Sequence, residues 1–446
     1  MKRIFLISFL FLSAFIKAQS VDSTSSLTLD KCVQMALRNN ADINNAAFQS
    51  SVNSVTFSQS KAAIFPSVSG SVGHSINSGR TINPSNNSYS TQSYTSADYS
   101  LNANMTLWNG FKLQNYIRKY ALDNQAGQMD LQNQRDQITL QVIVAYLDVL
   151  NQEDLLENYK QQALSTQAQL SRLDSMDNAG AAKPDDLANM KGQLSGNQIA
   201  IISQEDAIKT AKITLFNLMN VALNMDAILE RPQSLTEIQI APSEPIDDIY
   251  TRALQHLPSI KSAELKQQSA YKYVQINKAD YYPSLQYGAS LGTNYSSTSL
   301  DAMNNKIGYF NQFKNNYGTS LGLTLNVPVF NGLLTRSNVK IAKIQAAQAT
   351  FTTKRIKNQL KSTVAQQSFD VDAALKAWGK QQQQVDAYKD VLRVSQIKFN
   401  EGAINSTDYL IAKTQLQQAE INLIVDKYTY IFKSKILSYY QGDLSF

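Results

Sequence analysis

The chain repeats itself at long range. Residues 178–194, NAGAAKPDDLANMKGQL, return at 400–416 as NEGAINSTDYLIAKTQL, with seven identities over 17 ungapped positions. Ordinary residue usage gives about one by chance. The same offset of 222 carries LWNGF at 107–111 onto VFNGL at 329–333. Upstream, an offset of 217 pairs Ala36-Leu37 with Ala253-Leu254, Lys61-Ala62 with Lys278-Ala279, and Phe65-Pro66-Ser67 with Tyr282-Pro283-Ser284. About five extra residues therefore lie between the Pro-Ser and the Asn-Gly of the second copy. These are two structural units read in the same order, 19–225 and 246–446. A connector at 226–245, punctuated by Pro232, Pro242 and Pro245, joins them.

Each unit reads as helix, two strands, a very long helical run, a turn and another long helix. Residues 28–64 and 246–281 have helical apolar spacing and end at a proline. From Phe111 to Asn178 there is no Pro and one Gly, Gly127; from Leu333 to Glu401 there is again no Pro and one Gly, Gly379. Continuous helix over either run is about 100 Å long, against roughly a dozen residues for an average helix. Such helices must be coiled-coil-like, and their Gln-, Ala- and Ser-rich surfaces, Gln381–Gln384 included, expect water on at least one side. The turns fall at tip segments 178–187 and 400–409, where Gly180 and Gly402 suit tight turns of positive φ.

The strands are expected at about 66–76, 97–107, 283–295 and 317–327. Tyr99, Leu101, Ala103, Met105 and Leu107 alternate with Ser100, Asn102, Asn104 and Thr106; Leu321, Leu323, Leu325 and Val327 alternate with Ser320, Gly322, Thr324 and Asn326. An eleven-residue strand reaches roughly 36 Å, enough to cross an outer membrane when tilted. A soluble sandwich with one dry face is the alternative. Phe65 and Tyr282 precede the upward strands and Trp108 and Phe330 follow the returning ones, so hairpin pairing gathers all four rings at one end, as in a membrane-interface girdle. Segments 76–96 and 296–316, rich in Asn, Ser and Tyr, then become outward loops. Four strands cannot close a barrel; two chains give eight, with a filled interior, and three give twelve, with a lumen.

Export is written at the start of the chain. Lys2 and Arg3 precede an almost unbroken apolar run, Ile4 to Ile16, and Ala18 offers a cleavage site, so residues 1–18 read as a signal peptide. Without them the chain holds 38 basic against 35 acidic residues, no footprint for nucleic acid. Cys32 has no disulfide partner in the chain and lies too far from the apolar run to be a lipid-attachment site. No later stretch has the roughly twenty apolar residues of a membrane helix, so any membrane contact is made by strands or a partner. With His74 and His256 as the only histidines, and no H-E-x-x-H, G-x-S-x-G or phosphate loop, the chain offers no catalytic, cofactor-binding or metal-binding constellation.

The ordered duplication, the paired Pro-Ser and Asn-Gly junctions and the two G-x-x-x-x-x-D tips resemble the TolC-type outer-membrane efflux family over essentially the whole chain after residue 18. The resemblance implies a mostly α fold with a β-barrel portion: a homotrimer whose twelve-strand barrel in the outer membrane of a Gram-negative bacterium continues into a periplasmic α-helical tunnel. It implies an exit duct docked on a periplasmic adaptor (a membrane fusion protein) and an inner-membrane pump, proton-driven or ATP-driven, with outer-membrane lipid around the barrel. It also implies a tip narrowed by aspartates, onto which Asp186 and Asp408 fall, with Asp185 beside them. Ile404 and Ile411 stand where members of the family can carry a latching Arg and a second Asp, and Phe399 where a tip Tyr can occur. Each acid equally suits a first-turn helix cap, and the two roles are compatible. A non-conducting periplasmic coiled coil or adaptor is the rival class; it accounts for the helices and leaves the strands unexplained.

Overall fold

A computed structural model describes residues 26–82, 88–179, 183–231 and 244–443; residues 1–18, Gly180 and most of the 226–245 connector lie outside them. The N-terminal helical stretch expected at 28–64 is two helices, α1 (Leu29–Asn39) and α2 (Ala41–Ala62), broken at Asn40. Asn40 is extended there, and its Oδ1 accepts from Asp42 N at 2.9 Å, capping α2. Its Nδ2 donates to Leu218 O at 2.8 Å. The strands β1 (Ser67–Ile82) and β2 (Tyr89–Trp108) form a hairpin, and then come α3 (Lys112–Asn178) and α4 (Pro184–Met219). The second half follows with α5 (Ile246–His256), α6 (Pro258–Lys278), a 3-10 turn (Ala279–Tyr281), β3 (Ser284–Ser296), α7 (Tyr309–Asn315), β4 (Gly318–Asn326), α8 (Leu334–Asn400) and α9 (Ser406–Gln441). Its break falls at Leu257, because the residue before Pro258 is driven out of the helical region.

The long helices match to the residue. α3 and α8 each have 67 residues and start 222 apart; α4 and α9 each have 36 and start 222 apart. The strand-to-helix corners also match. Gly110 and Phe111 have φ of 65° and 64°, Gly332 and Leu333 have 64° and 65°. Two successive left-handed residues turn the chain sharply from sheet into coiled coil. A Cβ on Gly110 would lie 2.9 Å from Tyr282 Cβ, so glycine is required there for space as well as conformation. The far ends of α4 and α9 close on left-handed Asn220 and Gly442, again 222 apart.

The four strands form one antiparallel sheet in the order β1-β2-β3-β4. The first hairpin is longer than the alternation suggests: pairing continues outward from Ile76↔Thr95 to Ile82↔Tyr89, through much of the expected 76–96 loop. Polar Ser, Asn and Thr residues there satisfy a ladder without an apolar face, which period-2 reading of hydrophobicity does not detect. The second outward segment, 296–316, contains α7 rather than loop alone.

The main core sits at the waist of the helical body, where α1, α3 and α4 meet α9 around Tyr146, Leu150, Leu215, Met219 and Tyr428. Leu27 and Leu229 pair there as a parallel bridge, and Tyr146 Oη bonds to the carbonyls of Leu27 (2.8 Å) and Glu230 (2.5 Å). Buried Lys212 donates to Met225 O (3.0 Å) and Ala227 O (2.7 Å). The chain entering α1 and the chain leaving α4 are thus fixed to one another. Cys32 is wholly buried in this core, and burial pushes its thiol up to about 12.

Candidate functional site

Two regions carry the residues singled out from sequence: the helical tip and the inner end of the sheet. At the tip, Pro184 opens α4 and places Asp185 and Asp186 in its first turn, while Asn405 caps α9 by accepting from Asp408 N at 2.8 Å. Gly402 has φ 69°, and Ala403 N reaches back to Lys398 O at 2.8 Å, closing α8 as left-handed C-caps do. Phe399 stacks on Tyr409 with centroids 5.0 Å apart, over a small core of Leu170, Leu173 and Met190. Ile404 packs against that core, and Ile411 is exposed.

The two in-register acids occupy different environments. Asp186 Oδ1 accepts from Ser406 N at 2.9 Å, so an α4 side chain caps the first residue of α9. Asn189 Nδ2 donates to Ser406 Oγ at 3.1 Å and completes the tie. Asp408 and Asp185 are exposed, and neither side chain has a partner among the described residues. The repeat explains the difference: the counterpart of Ser406 is Pro184, which has no N–H for Asp408 to accept from.

Above the tip, Lys413 is 4 % exposed between helices, donating to Thr166 Oγ1 (2.8 Å) and Ser165 Oγ (3.2 Å). Thr166 in turn accepts from Asn197 Nδ2 at 2.9 Å. Burial without a carboxylate in the ring lowers the Lys413 pKa to about 8. Its signals in the sequence are its recurrence, as the counterpart of Lys191 in the repeat, and its place on the apolar side of a helix.

At the sheet, the register puts Val68, Gly70, Val72 and Ile76 of β1 beside Leu101, Met105 and the other odd-numbered residues of β2, with Tyr287 and Leu291 of β3 and Leu321, Leu323 and Leu325 of β4. The opposite face is mostly Ser, Asn, Gly, Thr and Gln, with Asp98 among them. Trp108 and Tyr282 meet edge-on at 6.5 Å, and Phe65 and Phe330 are exposed beyond the same ends of β1 and β4. No helix of the described residues is long and apolar enough to cross a membrane, and none of those residues form a cluster suited to a metal. His256 lies between the carbonyls of Arg252 (2.7 Å) and Tyr439 (3.3 Å), holding α5 against the end of α9. His74 sits in β1 opposite Ala97.

The family model for outer membrane efflux proteins matches residues 32–221 and 249–436, one match for each half. The outer membrane protein TolC of Vibrio cholerae is 24% identical over 309 residues, covering 69% of this chain and 68% of its own. The outer membrane efflux protein BepC of Brucella suis is 23% identical over 430 residues, 92% of this chain and 84% of its own. The open-state MtrE outer membrane channel of Neisseria gonorrhoeae superposes with a TM-score of 0.78 at 16% identity, over 93% of this chain and 89% of that one.

Proposed function

The chain belongs to the outer membrane efflux protein family, and from that premise we propose that it is the outer-membrane exit duct of a tripartite efflux or type I secretion system. Three copies close a twelve-strand barrel in the outer membrane, and their helices form a tunnel through the periplasm. Residues 1–18 direct export and are removed. A periplasmic adaptor and an inner-membrane pump, proton-driven or ATP-driven, meet the tip, and cargo passes through without chemistry. The two halves of each chain act as equivalent staves of the tunnel.

The observation that carries this reading is the sheet. Its apolar face is uncovered except where α7 lies on its end, with Val72 74 % and Leu321 73 % exposed, and β1 and β4 are open edges of a four-stranded sheet within one chain. Unpaired strand edges in hydrocarbon cost several kcal/mol per group. Edge-to-edge closure with further copies removes them, and twelve strands leave room for a lumen where eight do not. Phe65, Trp108, Tyr282 and Phe330 form the inner aromatic girdle, and the polar face lines water.

At the tip, Asp186 and Asp408 of three copies place six carboxylates around the mouth, with Asp185 at its rim. Gly402, at φ 69°, shapes the turn that the adaptor meets. The free carboxylates of Asp408 attract cations, whereas Asp186 also holds α9. Protein purified from outer membranes in mild detergent should have the mass of a trimer and conduct ions in planar bilayers. A stable, non-conducting monomer overturns the proposal.

A further inference from the structure

The outer end of the sheet carries a feature that the duct leaves unused. α7 lies against the apolar face of the sheet, not over its polar face. Phe313 meets Tyr99 edge-on at 5.4 Å, Tyr309 packs on Tyr295 at 4.8 Å, and the hydroxyls of Tyr309 and Tyr99 are hydrogen-bonded. Both Tyr99 and Tyr295 belong to the apolar series, being aligned with Val72 and Ala97. A buried polar anchor fixes the helix: Gln312 Oε1 accepts from Ser296 N at 2.9 Å, and its Nε2 donates to Ser296 O (2.9 Å) and Ile307 O (2.7 Å). Meanwhile Phe310, one residue after Tyr309, is 82 % exposed. An aromatic helix held by a buried amide and showing a bare phenyl ring is built to face something apolar.

Beside α7 the same face has a groove of about 510 Å³, walled by Val72, Tyr99, Leu101, Leu291, Phe313 and Tyr317. That is the size of a small-ligand site. Gly70 lowers its floor, since it aligns with Leu101 and Leu291 and a Cβ there would meet nothing nearer than Leu101 Cδ1 at 3.8 Å. From Tyr282 in the inner girdle to Leu291 the strand rises roughly 30 Å. With the usual tilt of about 40°, this spans nearly the whole apolar band of a membrane barrel. The groove therefore lies at outer-leaflet depth.

Charge adds a second indication. Lys306 precedes α7 and Lys314 lies in its last turn, and neither has an ion-pair partner among the described residues. Asp301, five residues before Lys306, accepts from Met303 N and Asn305 N within its own turn, and Asp98 is aligned with Asn294 on the opposite, polar face. Neither lysine is held in an ion pair, so both ammonium groups can meet an anionic headgroup.

We propose that the groove beneath α7 holds one acyl chain of a phosphate-headed outer-leaflet lipid, with Lys306 and Lys314 at the headgroup. This rests on the barrel reading, which turns the apolar face toward lipid. The test uses the full-length trimer in phospholipid nanodiscs doped with phosphatidylglycerol carrying a diazirine along one acyl chain. After irradiation, peptides containing Tyr99, Leu101 and Phe313 should carry several-fold more adduct than the β4 peptide with Leu321 and Leu323, which shares the face but lies outside the groove. Gly70→Leu fills the floor and should bring groove labelling down to the β4 level, with β4 labelling unchanged as the control for folding. The same chain on uncharged diacylglycerol should label the groove several-fold less. Groove labelling equal to β4 in the native protein, unaffected by Gly70→Leu, or equal for the two probes overturns the proposal and leaves the barrel standing. Absence of adduct on every strand overturns the barrel orientation itself.

Discussion

Asp186 and Asp408 occupy the same position in the two repeats, yet only Asp186 caps a neighbouring helix. Its Oδ1 accepts from Ser406 N at 2.9 Å, while the repeat counterpart of Ser406 is Pro184, whose nitrogen carries no hydrogen. One acid is engaged in holding the tip together, and the other remains an exposed carboxylate at the start of α9.

This asymmetry separates the two substitutions. Asp→Asn keeps an acceptor oxygen and removes the charge. Asp408→Asn should lower cation-over-anion selectivity in single-channel recordings severalfold and weaken block by divalent and trivalent ions. Asp186→Asn should do less to selectivity, and the double variant should fold, trimerise and lose both properties. Asp186→Ala, which leaves Ser406 N without its acceptor, should destabilise the tip by about 1 kcal/mol, seen as faster amide exchange at the start of α9. Selectivity and block that survive the double Asn substitution would leave Asp186 as a cap and Asp408 as a first-turn acid favoured by the helix dipole alone.

Lys413 gives the tip a pH dependence of definite sign. Burial lowers its pKa to about 8, below the ordinary 10.5. Between those values the unfolded chain holds a proton that the folded tip has released, so tip stability rises as pH goes from about 8 to 10.5. Below about 8 the full cost of burying the charge is present, at most roughly 3 kcal/mol. Lys413→Met should therefore stabilise the tip at pH 7, with the gain shrinking toward pH 10.5. Thr166 keeps its bond from Asn197, so the ring is not orphaned. Hydrogen exchange across α9 at pH 7 and pH 10 would measure it; a destabilised variant at pH 7 would show that the lysine's hydrogen bonds outweigh its desolvation.

The long helices were legible because nothing between Lys112 and Asn178, or between Leu334 and Asn400, interrupts them, and because the repeat supplies each boundary twice. The strands nearest the helices were legible through alternation. What the sequence concealed follows from three physical causes. The outer part of the first hairpin is mostly polar on both sides, so periodicity is weak although its ladder is complete. The break at Asn40 depends on a side chain that caps one helix and bonds to another 178 positions away. The tie from Asp186 to Ser406 spans 220 positions, and the local pattern around either residue reads only as an ordinary helix start. α7 could have been suspected from the aromatic spacing in YFNQFKN, but its seat on the apolar face is a tertiary fact.

Cys32 should be chemically silent. It is wholly buried in α1, and burial pushes its thiol up to about 12, so the reactive thiolate is scarce at neutral pH. Maleimide should fail to label the native protein over hours at pH 7.5 and should label it fully in denaturant. Intact mass of the protein from outer membranes should correspond to a chain starting near Gln19, with no acyl group on Cys32. Rapid labelling of the native trimer would mean that the waist core opens.

The two strand-to-helix corners provide a matched comparison. Gly110 and Gly332 have nearly the same φ, 65° and 64°, so alanine at either meets the left-handed penalty of roughly 1–2 kcal/mol. Space differs. A Cβ at Gly110 would stand 2.9 Å from Tyr282 Cβ and 3.0 Å from Ala279 O, whereas one at Gly332 meets nothing within 4 Å. The obstruction at Gly110 is partly backbone, in the turn that leads into β3, and it cannot be relieved by rotating a side chain. Gly110→Ala should therefore push the start of β3 and disturb the Trp108–Tyr282 contact, lowering the temperature at which the trimer dissociates on semi-native gels well beyond the effect of Gly332→Ala. Equal shifts would mean that the Tyr282 turn yields easily and that conformation alone fixes glycine at both corners. The tyrosine can be checked directly: Tyr282→Ala removes the Cδ2 neighbour at 3.1 Å and the edge-on contact but leaves the residue's own Cβ at 2.9 Å and Ala279 O at 3.0 Å in place, so it should rescue Gly110→Ala only slightly.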